Sequence, residues 1–173
     1  MIVNSPGIER RDLSNLRQFM FGSSPITEGT LKRAVELWPN MKFLHGWGMT
    51  ELSPIGSMLP HHLRLPQVAG DRLKSCGVAP PNVEVLIVDE EGREVPRGTT
   101  GEIVVRGPIV MQGYWNKPEE TAKALRDGWL HTGDAAVMDD EGLIYIVDRL
   151  KDMIISGGEN VYSTEVENAI SMM

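Results

Sequence analysis

Two short stretches carry residue types that could handle a nucleotide. Gly46-Trp47-Gly48-Met49-Thr50-Glu51 follows an apolar run, the position at which open α/β sheets place their ligands. An aromatic ring there can stack on a purine, a threonine hydroxyl can donate to a phosphate, and a carboxylate can hold Mg2+ beside phosphate oxygens. The same residues would equally serve as a glycine-rich turn around a core tryptophan. Downstream, Trp129-Leu130-His131-Thr132-Gly133-Asp134 sets an aspartate behind a glycine, at the expected start of a strand. That carboxylate can accept both hydroxyls of a ribose, or cap the backbone of a turn. Asp148-Arg149-Leu150-Lys151-Asp152 is a charged break between the apolar runs 143–147 and 153–155. It reads either as a solvated turn or as a domain boundary, with Arg149 on a nucleotide and Lys151 at a hinge. Ser156-Gly157-Gly158-Glu159-Asn160 then offers a loop able to approach a ligand through bare backbone.

The elements that must position these residues fall into three segments. Over 1–62, Leu16 to Phe21 reads as an apolar strand and Met41 to Leu44 as a second. Between them Leu31, Ala34, Val35 and Trp38 keep helical spacing, with Thr27 as N-cap and Pro39 as the stop. Strand, helix and strand in this order predict a parallel α/β unit. Over 63–148 the pattern turns to β. Residues 61–82 are connecting chain rich in Pro, Gly and His. Val83, Val85 and Ile87 alternate before the turn Asp89-Glu90-Glu91-Gly92, and Glu102 to Arg106 forms another strand. Pro118 opens a short helix that Gly128 can end. Ala135 to Met138 and Leu143 to Val147 flank Asp139-Asp140-Glu141-Gly142 as a hairpin, so a small barrel or curled sheet is expected. Over 149–173, Val166, Ala169, Ile170 and Met173 return to helical spacing, with Thr164 and Glu167 as a capping box. A helix this short cannot bury its apolar face alone.

Composition narrows the classes. The chain has 173 residues, 41% hydrophobic and 24% charged, with a net charge of −7. Such a balance suits a soluble globular protein and disfavours a general nucleic-acid binder, which needs basic surface. One cysteine, Cys76, excludes an internal disulfide and reads as core filler rather than a reactive thiol. No apolar run reaches the ~20 residues of a membrane span, and a cytoplasmic location is the expectation. His61-His62 reads as a solvent-facing loop. His45 is either a packed, hydrogen-bonded residue or the border of an acyl pocket.

Taken together, order and spacing from Phe21 to Ile170 resemble the adenylate-forming superfamily, the AMP-dependent synthetases and ligases, and most of all its fatty acyl-CoA synthetases. The resemblance implies a fold of class α/β plus β. The chain would hold the C-terminal part of that family's N-terminal domain, then a barrel-like β subdomain, then the start of the α+β lid. It further implies that Ser23, Ser24 and Pro25 wall the adenine and acyl pocket, and that Trp47 replaces a tyrosine stacked on adenine. Gly46, Gly48 and Met49 would complete that nucleotide-binding turn. Thr50 would meet phosphate, Glu51 phosphate and Mg2+, Asp134 and Arg149 the ribose. Lys151 would be the hinge, and Gly157 and Gly158 would line a pantetheine channel. Gln112-Gly113-Tyr114-Trp115-Asn116-Lys117-Pro118 points within the family to fatty acyl ligases.

The implied reaction joins a carboxylic acid, expected to be a fatty acid, to AMP from ATP, and then transfers the acyl group to a thiol, usually that of CoA. Three departures bear on it. The family's phosphate loop upstream of Phe21 and its late C-terminal lysine are not in the sequence, and Ser163 stands where proline is common. Losing one preorganised charge-stabilising group can cost ~3 kcal/mol of transition-state stabilisation. The expectation is therefore a piece of an acyl-CoA synthetase, inactive alone. A non-catalytic nucleotide-binding remnant, or one subunit of a split enzyme completed by a missing segment, stays open beside it.

Overall fold

The structure, a computed structural model, describes residues 2–22, 26, 28–59, 72, 74–156, 159–163, 166 and 169–170. The expectations placed on Ser23, Ser24, Pro25, Thr27, His61, His62, Gly157, Gly158, Thr164, Glu167 and Met173 lie outside these residues.

The parallel unit forms as its pattern requires. Strand β1 (Gln18–Gly22), helix α1 (Glu28–Leu37) and strand β2 (Lys42–Trp47) follow in order, and β1 pairs with β2 in parallel, Phe21 beside His45 and Gly22 beside Gly46. Strand β3 (Ser57–Leu59) closes this sheet antiparallel to β2. Leu31 and Ala34 are buried. Ala34, with Leu37 and Trp38, packs over Phe19, Phe21, Met41 and Phe43. Val35, expected in the same stripe, is 43% exposed. It lies at the margin of a helix face that covers only one side of three short strands.

The second part is an open antiparallel sheet. Strands β4 (Glu84–Val88), β5 (Gly101–Arg106), β6 (Leu125–Arg126), β7 (Trp129–Met138) and β8 (Ile144–Arg149) pair in the order β4-β5-β7-β6, with β8 beside β7. Register shifts at Glu102/Val104 and Ala135/Ala136 bend the central strands, because a bulge raises the local twist. The sheet therefore curls around a core of Val85, Ile87, Ile103, Val105, Leu130, Ala136, Met138 and Ile144, into which Leu52 and Cys76 also pack. Two hairpin turns use one device. Asp89 Oδ1 accepts the N–H groups of Glu91 and Arg93, and Asp139 Oδ1 those of Glu141 and Leu143.

Two local expectations are corrected. Helix α2 (Pro118–Ala124) stops well before Gly128, because Leu125 and Arg126 pair with Leu130 and Trp129 instead. Asp127 and Gly128, both at positive φ (52° and 81°), form the two-residue hairpin turn for which an Asp-Gly pair is suited. Asp134 is not at a strand start but in the middle of the ten-residue β7.

A short hairpin of β9 (Ile154–Ser156) and β10 (Glu159–Val161) forms its own two-stranded sheet after the charged break. Ser163 is tied back to the main sheet. Its backbone N–H and its hydroxyl both donate to the buried carboxylate of Asp148 on β8. Residues 163, 166, 169 and 170 are helical, and Val166 and Ile170 remain exposed.

Candidate nucleotide site

The first motif leaves the end of β2 and enters a single 3-10 turn, Thr50–Leu52. Leu52 is fully buried and anchors that turn in the main core, while Thr50 is exposed. Glycine is needed at 48 and 56 for packing reasons. A Cβ on Gly48 would lie 1.9 Å from Pro54 O, and one on Gly56 would lie 2.5 Å from the Trp47 ring. The chain thus folds back over itself and seats the Trp47 indole, which rests against the core cluster along with Met49.

The second motif meets the first through Asp134. Trp47 Nε1 donates to Asp134 Oδ2 at 2.8 Å, across 87 residues of sequence. Arg149, paired with Asp134 in the β7–β8 register, places Nε 2.7 Å from Oδ1. The Asp134 N–H is held by Thr132 Oγ1, which in turn donates to Ile103 O. Next to it, Gly133 N–H donates to Glu102 Oε1, and Glu102 Oε2 lies 2.7 Å from His131 Nδ1. Asp134 is only 5% exposed, so its backbone, its strand and both carboxylate oxygens are fixed.

Burial is the largest influence on this carboxyl and raises its pKa from the ordinary 3.8. The Trp47 hydrogen bond and the Arg149 charge pull it down, while the nearby Glu102 charge adds to the rise. The two partners differ in kind. The indole is held by the core. The Arg149 side chain is 47% exposed, and an ion pair in such a setting contributes little to stability. An ionised carboxylate has about four acceptor positions. Two are used here, leaving capacity for two further donors such as a pair of vicinal hydroxyls.

Glu51 is held from the other side. Its carbonyl accepts the Met111 N–H at 2.8 Å, and its Oε1 accepts the Tyr114 hydroxyl at 2.7 Å. That bond, with some burial, raises the Tyr114 pKa above its ordinary value. Oε2 makes no hydrogen bond or ion pair among the described residues. One carboxylate oxygen suits Mg2+, which keeps several waters and is commonly bound through one or two carboxylates together with substrate phosphates. Among the described residues no group of three or more His, Cys, Asp or Glu side chains could form an all-protein cage. The donor set therefore fits Mg2+ carried in on a phosphate ligand.

Of the expected residues, Trp47, Asp134 and Arg149 are brought into direct contact, and Gly46 and Gly48 through Glu51 adjoin Trp47 in the same turn. Lys151 does not join them; it lies on the exposed turn 150–152 after β8, without a hydrogen bond or ion pair among the described residues. His45 takes the packed alternative, stacked on Phe21 at 4.8 Å with Nδ1 2.8 Å from Ser75 O. Burial pushes the Cys76 thiol up to about 11, consistent with a core residue. Tyr114 and Glu102 had no assigned role in the sequence. Their partners lie 63 and 31 residues away, and only the Gly-Tyr-Trp stretch drew notice to the first.

A parallel strand–helix–strand unit ending in a glycine-rich turn, joined to a curled antiparallel sheet whose central strand carries the partner aspartate, is the architecture of an adenylate-forming enzyme. The AMP-binding enzyme family model matches residues 1–115, and the chain belongs to that family. It is 43% identical over 169 residues to a feruloyl-CoA synthase of an Amycolatopsis species, covering 98% of this chain and 33% of that one. It is 39% identical over 169 residues to a long-chain-fatty-acid–CoA ligase of Escherichia coli, covering 98% of this chain and 29% of that one. Among solved structures it resembles the Bacillus subtilis O-succinylbenzoate coenzyme A synthetase in complex with ATP and magnesium ion. That match has a TM-score of 0.81 and 32% identity, and covers 92% of this chain and 32% of that one. The chain thus spans about a third of the length of these proteins. No helix among the described residues is long and apolar enough to cross a membrane.

Proposed function

We propose that the chain supplies the nucleotide-facing part of an AMP-forming acid–thiol ligase. In that reaction a carboxylate attacks the α-phosphate of ATP, releasing pyrophosphate and giving an acyl-adenylate. The thiol of CoA then displaces AMP. The carrying observation is the Asp134 carboxylate bridged between Trp47 and Arg149, which joins two motifs far apart in sequence through polar groups of the kind a nucleotide needs.

The roles follow from the chemistry of the residues. Asp134, with two acceptor positions in hand, takes the ribose hydroxyls, and the half-exposed Arg149 turns outward to the same sugar. The Trp47 ring, its edge fixed by Asp134, offers a face to the adenine from the turn Gly46–Met49. Thr50, exposed beside them, presents its hydroxyl to phosphate. Glu51 would hold Mg2+, whose charge offsets that of the phosphates when bound. Catalysis by such a site rests on placing the reactants and neutralising charge, both of which are geometric. Lys151, on the exposed turn between β8 and β9, is the proposed hinge of the lid segment, and Ser23, Ser24, Pro25, Gly157 and Gly158 are proposed pocket and channel residues. A fatty acid is the proposed carboxylate, supported by the long-chain ligase relative, with ferulate the natural comparison.

The test is ATP–pyrophosphate exchange, with palmitate and ferulate, by a complete polypeptide, one of the relatives' length that contains this chain, together with calorimetry of AMP binding. Exchange with palmitate, lost in D134A, is the expected result. AMP binding without exchange for any acid would reduce the reading to a nucleotide-binding module. Absence of saturable AMP binding would overturn both.

A further inference from the structure

Glu51 is gripped twice by one short segment. Met111 N–H donates to its carbonyl and Tyr114 Oη to its Oε1. Tyr114 is itself built into place. Its own N–H donates to Thr121 Oγ1 at 2.9 Å, and that hydroxyl donates to Lys117 O at 2.8 Å at the start of α2. A chain of bonds therefore runs from α2 through Thr121 and Tyr114 to one oxygen of the carboxylate, leaving Oε2 without a polar partner among the described residues. Thr121 also accounts for Gly113, where a Cβ would lie 2.8 Å from the threonine methyl.

A carboxylate with one oxygen committed to a phenol meets a cation through the other alone. Small ions with strict octahedral geometry accept that, whereas Ca2+ has a larger coordination sphere and often takes carboxylates through both oxygens. We propose that Tyr114 is a positioning residue that holds Glu51 for capture of a divalent cation through Oε2 only, and thereby sets the site's preference for Mg2+ over Ca2+. This rests on the reading of Glu51 as the cation's carboxylate. Nothing in the Gly-Tyr-Trp stretch requires a hydroxyl otherwise, because Tyr114 is more than one-third exposed and its ring could serve packing as phenylalanine.

The experiment compares wild type, Y114F, T121V and E51Q of the complete polypeptide by calorimetry with Mg·ATP, Ca·ATP and metal-free AMP. Y114F should lower the ratio of Mg·ATP to Ca·ATP affinity by about tenfold, the size of one lost hydrogen bond to a charged group. AMP affinity should be unchanged, which separates the effect from a fold defect. T121V should move the ratio in the same direction by less, since it loosens Tyr114 without removing its hydroxyl. E51Q separates this inference from the reading beneath it. If E51Q loses the metal dependence of ATP binding while Y114F leaves the ratio at the wild-type value, Glu51 stands and the role of Tyr114 is overturned. If E51Q keeps full metal dependence, the assignment of Glu51 fails and this inference fails with it.

Discussion

Trp47 and Asp134 are joined by a 2.8 Å hydrogen bond from the indole Nε1–H to Oδ2, in a setting where the carboxylate is almost wholly buried. That bond stitches the turn after β2 to the middle of β7. It turns two weak motifs into one site, because it orients both the ring edge and the acceptor oxygens that a nucleotide would use.

W47F tests the stitch, keeping most of the ring and removing the donor. An oxygen of a buried carboxylate then loses a partner, which costs about 1–3 kcal/mol. The urea midpoint should fall accordingly and AMP affinity should drop. A W47F protein with wild-type stability and AMP affinity would show that the bond carries neither.

The pH dependence of AMP binding has a definite sign. Only the ionised Asp134 accepts two hydroxyls, and burial raises its pKa above 3.8. Affinity should therefore fall on acidification at a higher pH than an exposed aspartate would give, and D134N should remove that limb. Stability runs the opposite way. A carboxyl whose folded pKa is raised contributes most at low pH and loses that contribution as pH rises through the folded value. D134N should thus flatten the stability profile in the acid range while weakening AMP binding at neutral pH, a separation best read by urea titration and calorimetry at several pH values.

Cys76 should be inert. With its thiol pushed up to about 11 and its side chain buried, a disulfide-exchange reagent at pH 8 should leave the native protein unmodified and label one thiol after unfolding. Rapid labelling of the native state would contradict the packing around Ile144 and Ser57.

Ser163 should stabilise the segment after β8. S163A removes the hydroxyl bonds to Asp148, and S163P removes the N–H donor as well. Amide exchange over residues 149–156 should quicken in that order. Equal protection in all three proteins would mean that the contact holds nothing in place.

Much of this was legible in the residues, for reasons that differ by element. The β1–α1–β2 unit shows itself because its strands are nearly all apolar and its helix keeps a 3.6-residue stripe. Strand β7 reads too short in the sequence. His131, Thr132 and Asp134 are polar residues that look out of place inside a strand, yet each finds a polar partner on a neighbouring strand, in Glu102, Ile103 O and Arg149. The end of α2 is misread because Gly128 suits a helix stop as well as a hairpin turn, and only the pairing of Leu125 with Leu130 decides between them. Tyr114 stays hidden for a similar reason, since its role exists only once Glu51 is brought to it.

Calorimetric titration of AMP into the complete polypeptide, wild type against D134N, tests the nucleotide site most directly. Single-site saturable binding to wild type and a loss of about tenfold or more in D134N are expected, the cost of removing charged acceptors from a buried site. Equal AMP affinity in the two proteins would contradict the assignment of Asp134 to the ribose.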